Sequence, residues 1–324
     1  LFDYDFAPLE QALGIDCFST VCRYTAIPKR ERMYNRDISQ QVRTLCAALE
    51  AAPDVKETFR LVTDYYRQYG YGVFAMSRAF RIRRQDRGVE FLPINNIDHV
   101  MLSDLLGYEQ QKTELRRNTE AFLDGKAANN VLLYGDAGTG KSSTVKAVAN
   151  ELAPDGLRLI EVKKNQLYQI PALMDELANN PLKFILFIDD LSFSANDDNF
   201  AALKAILEGG VGGRSHNVAV YATSNRRHLV KETMADRSGD DLHAADTRQE
   251  LMSLAARFGL TVTFQQPDKD RYERILLELA KQYGIQMPSD QLYIKGAAFA
   301  IRAGGRSPRV AKQFVELLAA GVKV

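Results

Sequence analysis

The stretch GDAGTGKS, residues 135–142, constrains this chain more than any other because it places a glycine-rich loop between a strand and a helix. The residues before it, NVLLY, are apolar and partly β-branched like a buried strand, and STVKAVANEL after it has the composition of a helix. The spacing matches G-x-x-x-x-G-K followed by Ser or Thr, in which backbone N–H groups and the positive end of the helix surround phosphate oxygens. The sequence therefore predicts a nucleoside triphosphate site.

Two residues of this loop have side chains with distinct expected roles. Lys141 adds positive charge beside the phosphates and counts among the expected catalytic residues, and the hydroxyl of Ser142 is an expected magnesium ligand. The loop and the first helical residues together are expected to hold the nucleotide; they are Gly135, Asp136, Ala137, Gly138, Thr139, Gly140, Lys141, Ser142 and Ser143.

Two adjacent carboxylates end a second apolar run, FILFIDDL at residues 184–191. In phosphate-loop proteins a carboxylate at the end of a neighbouring strand holds magnesium, and an acidic residue beside it orients the attacking water. Asp189 is predicted to take the first role and Asp190 the second. Asp190 is one methylene shorter than glutamate, so slow or partner-gated hydrolysis is expected. A purely structural alternative, in which Asp190 caps the following turn, stays open.

Asn225 follows a third apolar run, VAVYATSN, at residues 218–225. Ligands of open α/β sheets collect at the carboxyl ends of parallel strands, so Asn225 is expected to hydrogen-bond the γ-phosphate or the attacking water. Thr223 is a weaker candidate at the same edge, and Asn225 as a simple turn residue is the alternative.

Strands and helices alternate through the middle of the chain, which predicts an α/β fold with a mostly parallel sheet between helices. The predicted strands are 130–134, 157–162, 184–189 and 218–223, and helical segments follow near 268–283, 289–303 and 308–320. Three domains are expected: a mainly helical N-terminal domain at 1–95, a nucleotide-binding domain at 96–265 and a small all-helical domain at 266–324.

An arginine-rich stretch, SRAFRIRRQDRGVEFLPI at 77–94, is predicted to form two short strands around a turn at Asp86, Arg87 and Gly88. Its basic residues are Arg78, Arg81, Arg83, Arg84 and Arg87. They could grip phosphates or acidic partners, but a solvated hairpin edge protected by charge is the favoured interpretation.

The composition of the chain limits which binding partners and which cellular compartment can be expected. The formal net charge is only +1, so no global basic field argues for nucleic acid or a membrane surface. No apolar run is long enough to span a bilayer, the first residues lack a secretory pattern, and three cysteines without metal-ligand spacing suggest neither a zinc site nor a disulfide framework. We therefore expect a cytoplasmic protein with no membrane partner.

The motifs GDAGTGKS, FILFIDDL, YATSN, SLAARFGL and GGRSPRVAKQF, in this order, resemble those of the AAA+ ATPases. More narrowly, residues from about 95 to 320 are similar to a bacterial ATPase family known as domain of unknown function 815. The resemblance implies an AAA+ core with a helical C-terminal lid, ATP and Mg²⁺ as cofactors, and assembly into a ring or open oligomer, hexamer-like in size. It also places the segment around Leu106, Gly107 and Tyr108 beside the adenine.

The same resemblance assigns roles to residues beyond the loop. It makes Arg257 an arginine finger that projects into the nucleotide site of an adjacent subunit, although Ala255 and Ala256 precede it where related sequences more often carry polar residues. In such enzymes this residue contributes about 10³–10⁵ in rate. The second sensor is assigned to Arg309, at the start of a lid helix, with Arg306 as the competing choice.

Tyr168, in KKNQLYQIP, occupies the segment where protein-threading AAA+ machines carry an aromatic pore loop. No glycine follows it, and packing of Tyr168 against the next helix is the favoured interpretation.

Two functions are compatible with these features. The leading hypothesis is an ATPase that remodels a protein client bound through the N-terminal domain. The alternative is a nucleotide-gated, nucleic-acid-binding switch resembling replication initiators or helicase loaders. The paired aspartates and the arginine-rich stretch favour the alternative, and the near-neutral charge counts against it.

Overall fold

The computed structural model describes residues 11–14, 36–85, 88–94, 99–191, 202–204, 206–207, 216–225 and 256–322. Among the predicted features, Asp86 and Arg87 of the hairpin turn and Ala255 before the predicted arginine finger lie outside these residues.

The chain divides into two compact units, Leu1–Ala51 and Ala52–Val324. In the first unit the structure describes helix α1, Arg36–Glu50. The second unit contains a seven-stranded sheet made of β1 (Ala79–Arg84), β2 (Val89–Pro93), β3 (Val131–Gly135), β4 (Leu157–Glu161), β5 (Lys183–Ile188), β6 (Val218–Ser224) and β7 (Leu260–Phe264). Its order is β2-β1-β4-β5-β6-β3-β7.

All neighbouring strands of the sheet are parallel except the hairpin pair β1 and β2. The α/β fold class predicted from the alternating pattern is confirmed, and the four predicted strands correspond to β3, β4, β5 and β6. The hairpin formed by β1 and β2 lies in a different domain from the one predicted. Its arginine-rich strand β1 pairs in parallel with β4, so the hairpin extends the sheet although the sequence placed it in a separate domain ending near residue 95.

Helices cover the sheet and continue beyond it. Within the second unit they are α2 (Val55–Tyr69), α3 (Val73–Met76), α4 (Glu109–Leu123), α5 (Lys141–Leu152), α6 (Ile170–Leu177), α7 (Lys269–Gln282), α8 (Ser289–Arg302) and α9 (Pro308–Ala319). The last three form where helical segments were predicted, and they share an apolar cluster of their own around Leu276, Phe314 and Val315.

Strand β5 shows why an apolar run can end in two carboxylates. Its alternate residues enter different clusters: Phe184, Leu186 and Ile188 pack on one face of the sheet, and Ile185 and Phe187 on the other. A strand with neighbours on both edges and helices on both faces is buried along its whole length. Polar residues are accommodated only where the strand leaves the core, and Asp189 is the first residue past that point.

No helix within the described ranges is both long enough and apolar enough to cross a bilayer.

Candidate nucleotide-binding site

The phosphate loop lies between the end of β3 and the start of α5, and its glycines are required by its backbone. Gly135, Gly138 and Gly140 all have positive φ, at 135°, 75° and 97°. A Cβ on Gly135 would lie 2.0 Å from the carbonyl oxygen of Phe264 on β7. The loop can therefore curl tightly against the neighbouring strand only because these positions carry no side chain.

Lys141, the first residue of α5, turns its side chain into the curve of the loop. It is buried, and its Nζ donates hydrogen bonds to the carbonyl oxygens of Gly135 and Asp136 at 2.9 and 2.7 Å. Burial lowers the pKa of the Lys141 ammonium, while the nearby carboxylates of Asp136, Asp190 and Asp189 act in the opposite direction. A buried cation inside a glycine-rich loop at the start of a helix is an arrangement suited to phosphate.

Ser142 and Asp189 meet at the edge of the sheet. The Ser142 hydroxyl donates to Oδ1 of Asp189 at 2.6 Å, and the hydroxyl of Thr223 donates to the same oxygen at 2.5 Å. Hydroxyl and carboxylate oxygens are ligands that Mg²⁺ prefers, usually with phosphate and water completing its shell. The described residues contain no group of three or more His, Cys, Asp or Glu that could hold a metal. Ser142 and Asp189 supply one hydroxyl and one carboxylate, so these two residues fit Mg²⁺ held together with a phosphate.

Asp190 is joined to the same network through Asn225 and Thr223. Nδ2 of Asn225 donates to Oδ1 of Asp190 at 2.8 Å, and the backbone N–H of Asp190 donates to the Thr223 hydroxyl at 2.9 Å. Thr223, the weakest candidate in the sequence, thus connects both aspartates. The cause is register, because β6 lies beside β5 with Ala222 opposite Ile188, so the next residues of the two strands face each other.

The two competing arginines of GGRSPRVAKQF are placed differently. The backbone N–H of Arg309 donates to the carbonyl oxygen of Gly138 at 3.2 Å, and the Arg309 charge contributes to the lowered pKa of Lys141. The charge of Arg306 acts instead on the phenol of Tyr272. Of the pair, Arg309 is the one that the fold brings to the phosphate loop.

A cavity of about 280 Å³ adjoins the loop on the side where the adenine was expected. It is lined by Leu106, Gly107 and Tyr108, by Ser143 and Thr144 of α5, and by residues of α7 and α9 that include Ile275 and Arg309. Tyr108 has a left-handed backbone with φ of 60°, and its hydroxyl donates to the carbonyl oxygen of Gln265 at 2.6 Å. Burial raises the pKa of this phenol to about 12, so it remains a hydrogen-bond donor at neutral pH.

Lys112 is a residue that the sequence reasoning missed. Its ammonium is buried at the wall of this cavity and donates to the carbonyl oxygens of Leu102 and Leu105 at 3.2 and 2.7 Å, with an ion pair to Glu109 at 2.7 Å. It holds the backbone just before Leu106. A lysine within a charged helical stretch is ordinarily solvated, so its sequence carries no signal of this role.

Arg257 lies at the other end of the sheet from these residues. It is partly buried and comes three residues before β7, whose first residue Leu260 is opposite Val131, the first residue of β3. The phosphate loop begins at the last residue of β3, Gly135, opposite Phe264. The length of a strand therefore separates Arg257 from the phosphate loop of its own molecule, and the structure does not bring it into the site with the other predicted residues.

A family model described as "Protein of unknown function (DUF815)" matches residues 75–322. The match covers well over half of the chain, and the chain therefore belongs to this family. The resemblance to this family drawn from the motifs is confirmed.

Several solved structures are similar in fold. The Thermotoga maritima RuvB Holliday junction branch migration motor is 17% identical, with 69% of this chain and 67% of that chain covered and a TM-score of 0.45. The FIGL-1 AAA domain in complex with ADP is 17% identical over 70% of this chain and 75% of that chain, with a TM-score of 0.46. AMPPCP-bound DnaA from Aquifex aeolicus is 18% identical over 68% and 65%, also at 0.46. These similarities are distant, so the chemistry of the site is inferred from its own geometry.

Proposed function

We propose that this DUF815 protein is an AAA+ ATPase that binds and hydrolyses ATP with Mg²⁺ as an oligomer and uses the reaction to remodel a protein partner. One observation carries the proposal. A continuous hydrogen-bonded network joins Ser142, Asp189, Thr223, Asp190 and Asn225 at the mouth of the phosphate loop. Phosphoryl transfer needs phosphate, metal and water to be positioned together, and this network unites the groups suited to each.

Phosphate binding in this proposal belongs to the loop and its two neighbouring cations. Backbone N–H groups of the loop and the ammonium of Lys141 receive the phosphates, and Arg309 adds a second positive charge from the start of α9. Ser142 and Asp189 would hold Mg²⁺, which supplies neutralisation of the charge on the phosphate oxygens. The adenine occupies the cavity beside Tyr108.

Water activation belongs to Asp190. Its carboxylate accepts the proton of the attacking water, and the 2.8 Å hydrogen bond from Asn225 keeps that carboxylate oriented. The backbone hydrogen bond from Asp190 to Thr223 fixes its position relative to Asp189, at 2.9 Å from N to Oγ1. In this proposal Asp189 therefore binds the metal and Asp190 activates the water.

The position of Arg257 supports the proposed oligomer. A residue at the opposite edge of the sheet can complete a nucleotide site only in another copy of the chain, through a head-to-tail interface. An arginine supplied in this way contributes about 10³–10⁵ to turnover. Hydrolysis is then low in the isolated subunit and rises on assembly.

In this proposal the partner binds through the N-terminal part of the chain before the hairpin, within the domain that the sequence assigned to residues 1–95. Two observations support this assignment. Residues Leu1–Ala51 form a compact unit separate from the rest, and the match to the family begins only at residue 75. A segment outside the family core is a natural place for a partner-specific surface.

The test measures ATP binding and ATP hydrolysis separately in three variants. Lys141→Ala removes a charge-assisted contact, so we expect ATP affinity to fall about 10- to 100-fold. Asp190→Asn keeps the size of the side chain but not its basicity, so ATP still binds while hydrolysis falls about 10²- to 10⁴-fold. Lys126→Ala is the matched control, because this exposed lysine lies away from the site and pairs with Asp124 at 2.7 Å.

The proposal fails if the unaltered protein turns over no ATP at any protein concentration. It also fails if Lys141→Ala binds ATP as the Lys126→Ala control does. A client of the ATPase is expected to co-purify with Asp190→Asn, which stays in the ATP-bound state, and not with Lys141→Ala.

A further inference from the structure

A second cavity, of about 450 Å³, opens where strands β1 and β4 part. β1 pairs with β4 only through Ala79, Phe80 and Arg81, and then continues to Arg84 with β2 as its partner. After Glu161 the chain leaves the sheet and forms a 3₁₀ helix at Lys164–Gln169. Diverging strands at the carboxyl edge of a parallel sheet create a crevice, which is where such sheets bind ligands. The volume lies in the range of pockets that take small ligands.

The cavity is lined by four cations and one carboxylate, namely Arg81, Arg83, Arg84, Lys163 and Glu161. Arg81 pairs with Glu161 at 2.8 Å and Arg83 with Glu90 at 2.6 Å. Neither Arg84 nor Lys163 forms an ion pair with any residue in the described part of the chain. The cavity therefore has an excess of positive charge that favours an anion.

Tyr168 gives the cavity a flat aromatic surface. The residue is 54% exposed, and the guanidinium carbon of Arg84 lies 5.9 Å from the ring centroid. The sequence favoured packing of Tyr168 against the following helix; in the structure Tyr168 is about half exposed and lines the cavity, while Leu167 is buried in the core. An exposed ring beside an arginine is a platform on which an unpaired base can stack.

Gln169 supplies a buried polar atom without a partner. The residue is 7% exposed and lines the cavity, and its Oε1 accepts no hydrogen bond within the described part of the chain. Its Nε2 donates to the Tyr168 hydroxyl at 3.1 Å. A buried acceptor left unpaired is unfavourable, so a functional explanation is needed. The oxygen has no solvent-exposed surface, so a ligand donor reaches it only when the Gln169 side chain turns toward the cavity.

We propose that this cavity binds an unpaired nucleotide of a single-stranded nucleic acid. The base stacks on Tyr168, Arg84 and Lys163 contact phosphate, and an N–H of the base donates to Oε1 of Gln169. A duplex does not fit this arrangement, because its bases are stacked on one another and paired through the same N–H groups. An acidic peptide would match the cations alone and leave the aromatic platform unused.

This site is separate from the ATP site and goes beyond the proposed ATPase function. In the sheet, β4 is separated from β3 by β5 and β6, which places the two strands about 14 Å apart at about 4.8 Å per step. Both cavities lie at the same edge of the sheet. No residue of the phosphate loop lines this cavity, so oligonucleotide binding can be measured without ATP.

The experiment measures fluorescence anisotropy of labelled 20-nucleotide poly-dT and poly-U with the full chain, over a series of salt concentrations and without ATP. Tyr168→Ala is expected to weaken binding about 5- to 100-fold through lost stacking. Arg84→Ala is expected to weaken binding and reduce the slope of log affinity against log salt by about 0.7, one phosphate contact to a single strand. The matched control is Arg302→Ala, which removes another arginine lying over an aromatic ring, 6.0 Å from the Phe299 centroid, and leaves binding unchanged.

Gln169→Leu separates a binding role from a structural one. It removes the unpaired buried oxygen, so the melting temperature is expected to stay the same or rise while oligonucleotide affinity falls. A parallel loss of melting temperature and affinity would assign Gln169 to folding and overturn its role in the site.

Three further outcomes overturn the proposal: no oligonucleotide binding at low salt, a duplex bound as tightly as the single strand, or displacement by poly-glutamate equal to displacement by oligonucleotide. ATP binding is measured in the same preparations. Tyr168→Ala is expected to keep ATP binding and Lys141→Ala to keep oligonucleotide binding, so failure of this site and failure of the ATPase proposal are distinguishable.

Discussion

At the scale of single residues, the backbone of Asp190 determines which acidic residue can follow Asp189. Its φ is 54°, in the left-handed region that aspartate and asparagine enter far more readily than longer side chains. The residue turns here so that its N–H reaches Thr223 and its carboxylate reaches Asn225. The short acid is thus matched to the bend that follows β5, which explains why aspartate occupies this position.

Asp190→Glu is therefore expected to lower both stability and turnover. The strained backbone costs about 1 kcal/mol, and the longer side chain moves the carboxylate away from the position that Asn225 fixes. Urea unfolding and ATPase assays measure the two effects. Asp190→Asn, which tolerates the same φ, serves as the stability control. Higher turnover in Asp190→Glu without loss of stability would contradict this explanation.

At the scale of secondary-structure elements, one buried side chain fastens the helices before the hairpin to the sheet. The guanidinium of Arg158 on β4 donates to the carbonyl oxygens of Tyr69, Phe74, Ala153 and Leu157, at distances from 2.8 to 3.0 Å. Burial lowers the pKa of Arg158 to about 10, which leaves it charged at neutral pH. Arg158 therefore holds the ends of α2 and α3 to the sheet, together with the packing of Phe74 against Phe80 and Phe184.

We expect Arg158→Leu to lower the free energy of unfolding by about 3 kcal/mol, because buried carbonyl groups lose their donors. Arg60→Ala on α2 is the control. It removes an exposed arginine paired with Glu57 and Asp64, and such surface pairs contribute little. Chemical denaturation of the three proteins gives the comparison. Equal midpoints for Arg158→Leu and Arg60→Ala would show that the buried contacts do not fasten these helices.

At the scale of the whole molecule, the sheet separates the groups that the proposed hydrolysis requires. The phosphate loop leaves β3 at one edge, and Arg257 precedes β7 at the other. The five residues of β7 span roughly 16 Å at about 3.3 Å each. A single copy of the chain cannot bring the two together without disrupting its own sheet. The proposed active unit is therefore an assembly in which each copy completes the site of its neighbour.

Mixing two inactive variants tests this arrangement. Lys141→Ala lacks the lysine that contacts phosphate but keeps Arg257. Arg257→Ala lacks the arginine but keeps Lys141. In mixed oligomers made from equal amounts, about one site in four combines an intact loop with an intact arginine, so about a quarter of normal turnover is expected to return. Each variant alone should remain at its own low rate. No recovery on mixing, after subunit exchange is verified, would place Arg257 outside the neighbouring site.

Most of the nucleotide site could be predicted from local sequence. The residues of the phosphate loop are consecutive, and their chemistry follows from glycine conformation and the start of a helix. Asp189, Asp190 and Asn225 are recognisable because polar residues directly after buried strands lie at the same sheet edge. Lys112 and the bridging role of Thr223 could not be predicted in the same way, since each depends on a contact between segments that are distant along the chain.

By itself, the sequence determined that this chain has a phosphate loop, two acids at the end of a buried strand, and helices after residue 265. These are properties of short segments, decided by periodicity, glycine and charge. Only the tertiary structure decided which strands pair, that the arginine-rich hairpin extends the sheet, that Arg309 rather than Arg306 reaches the loop, and that Arg257 lies at the far edge. Strand pairing and helix packing depend on which distant segments are buried against each other. The residue type at a single position does not reveal this.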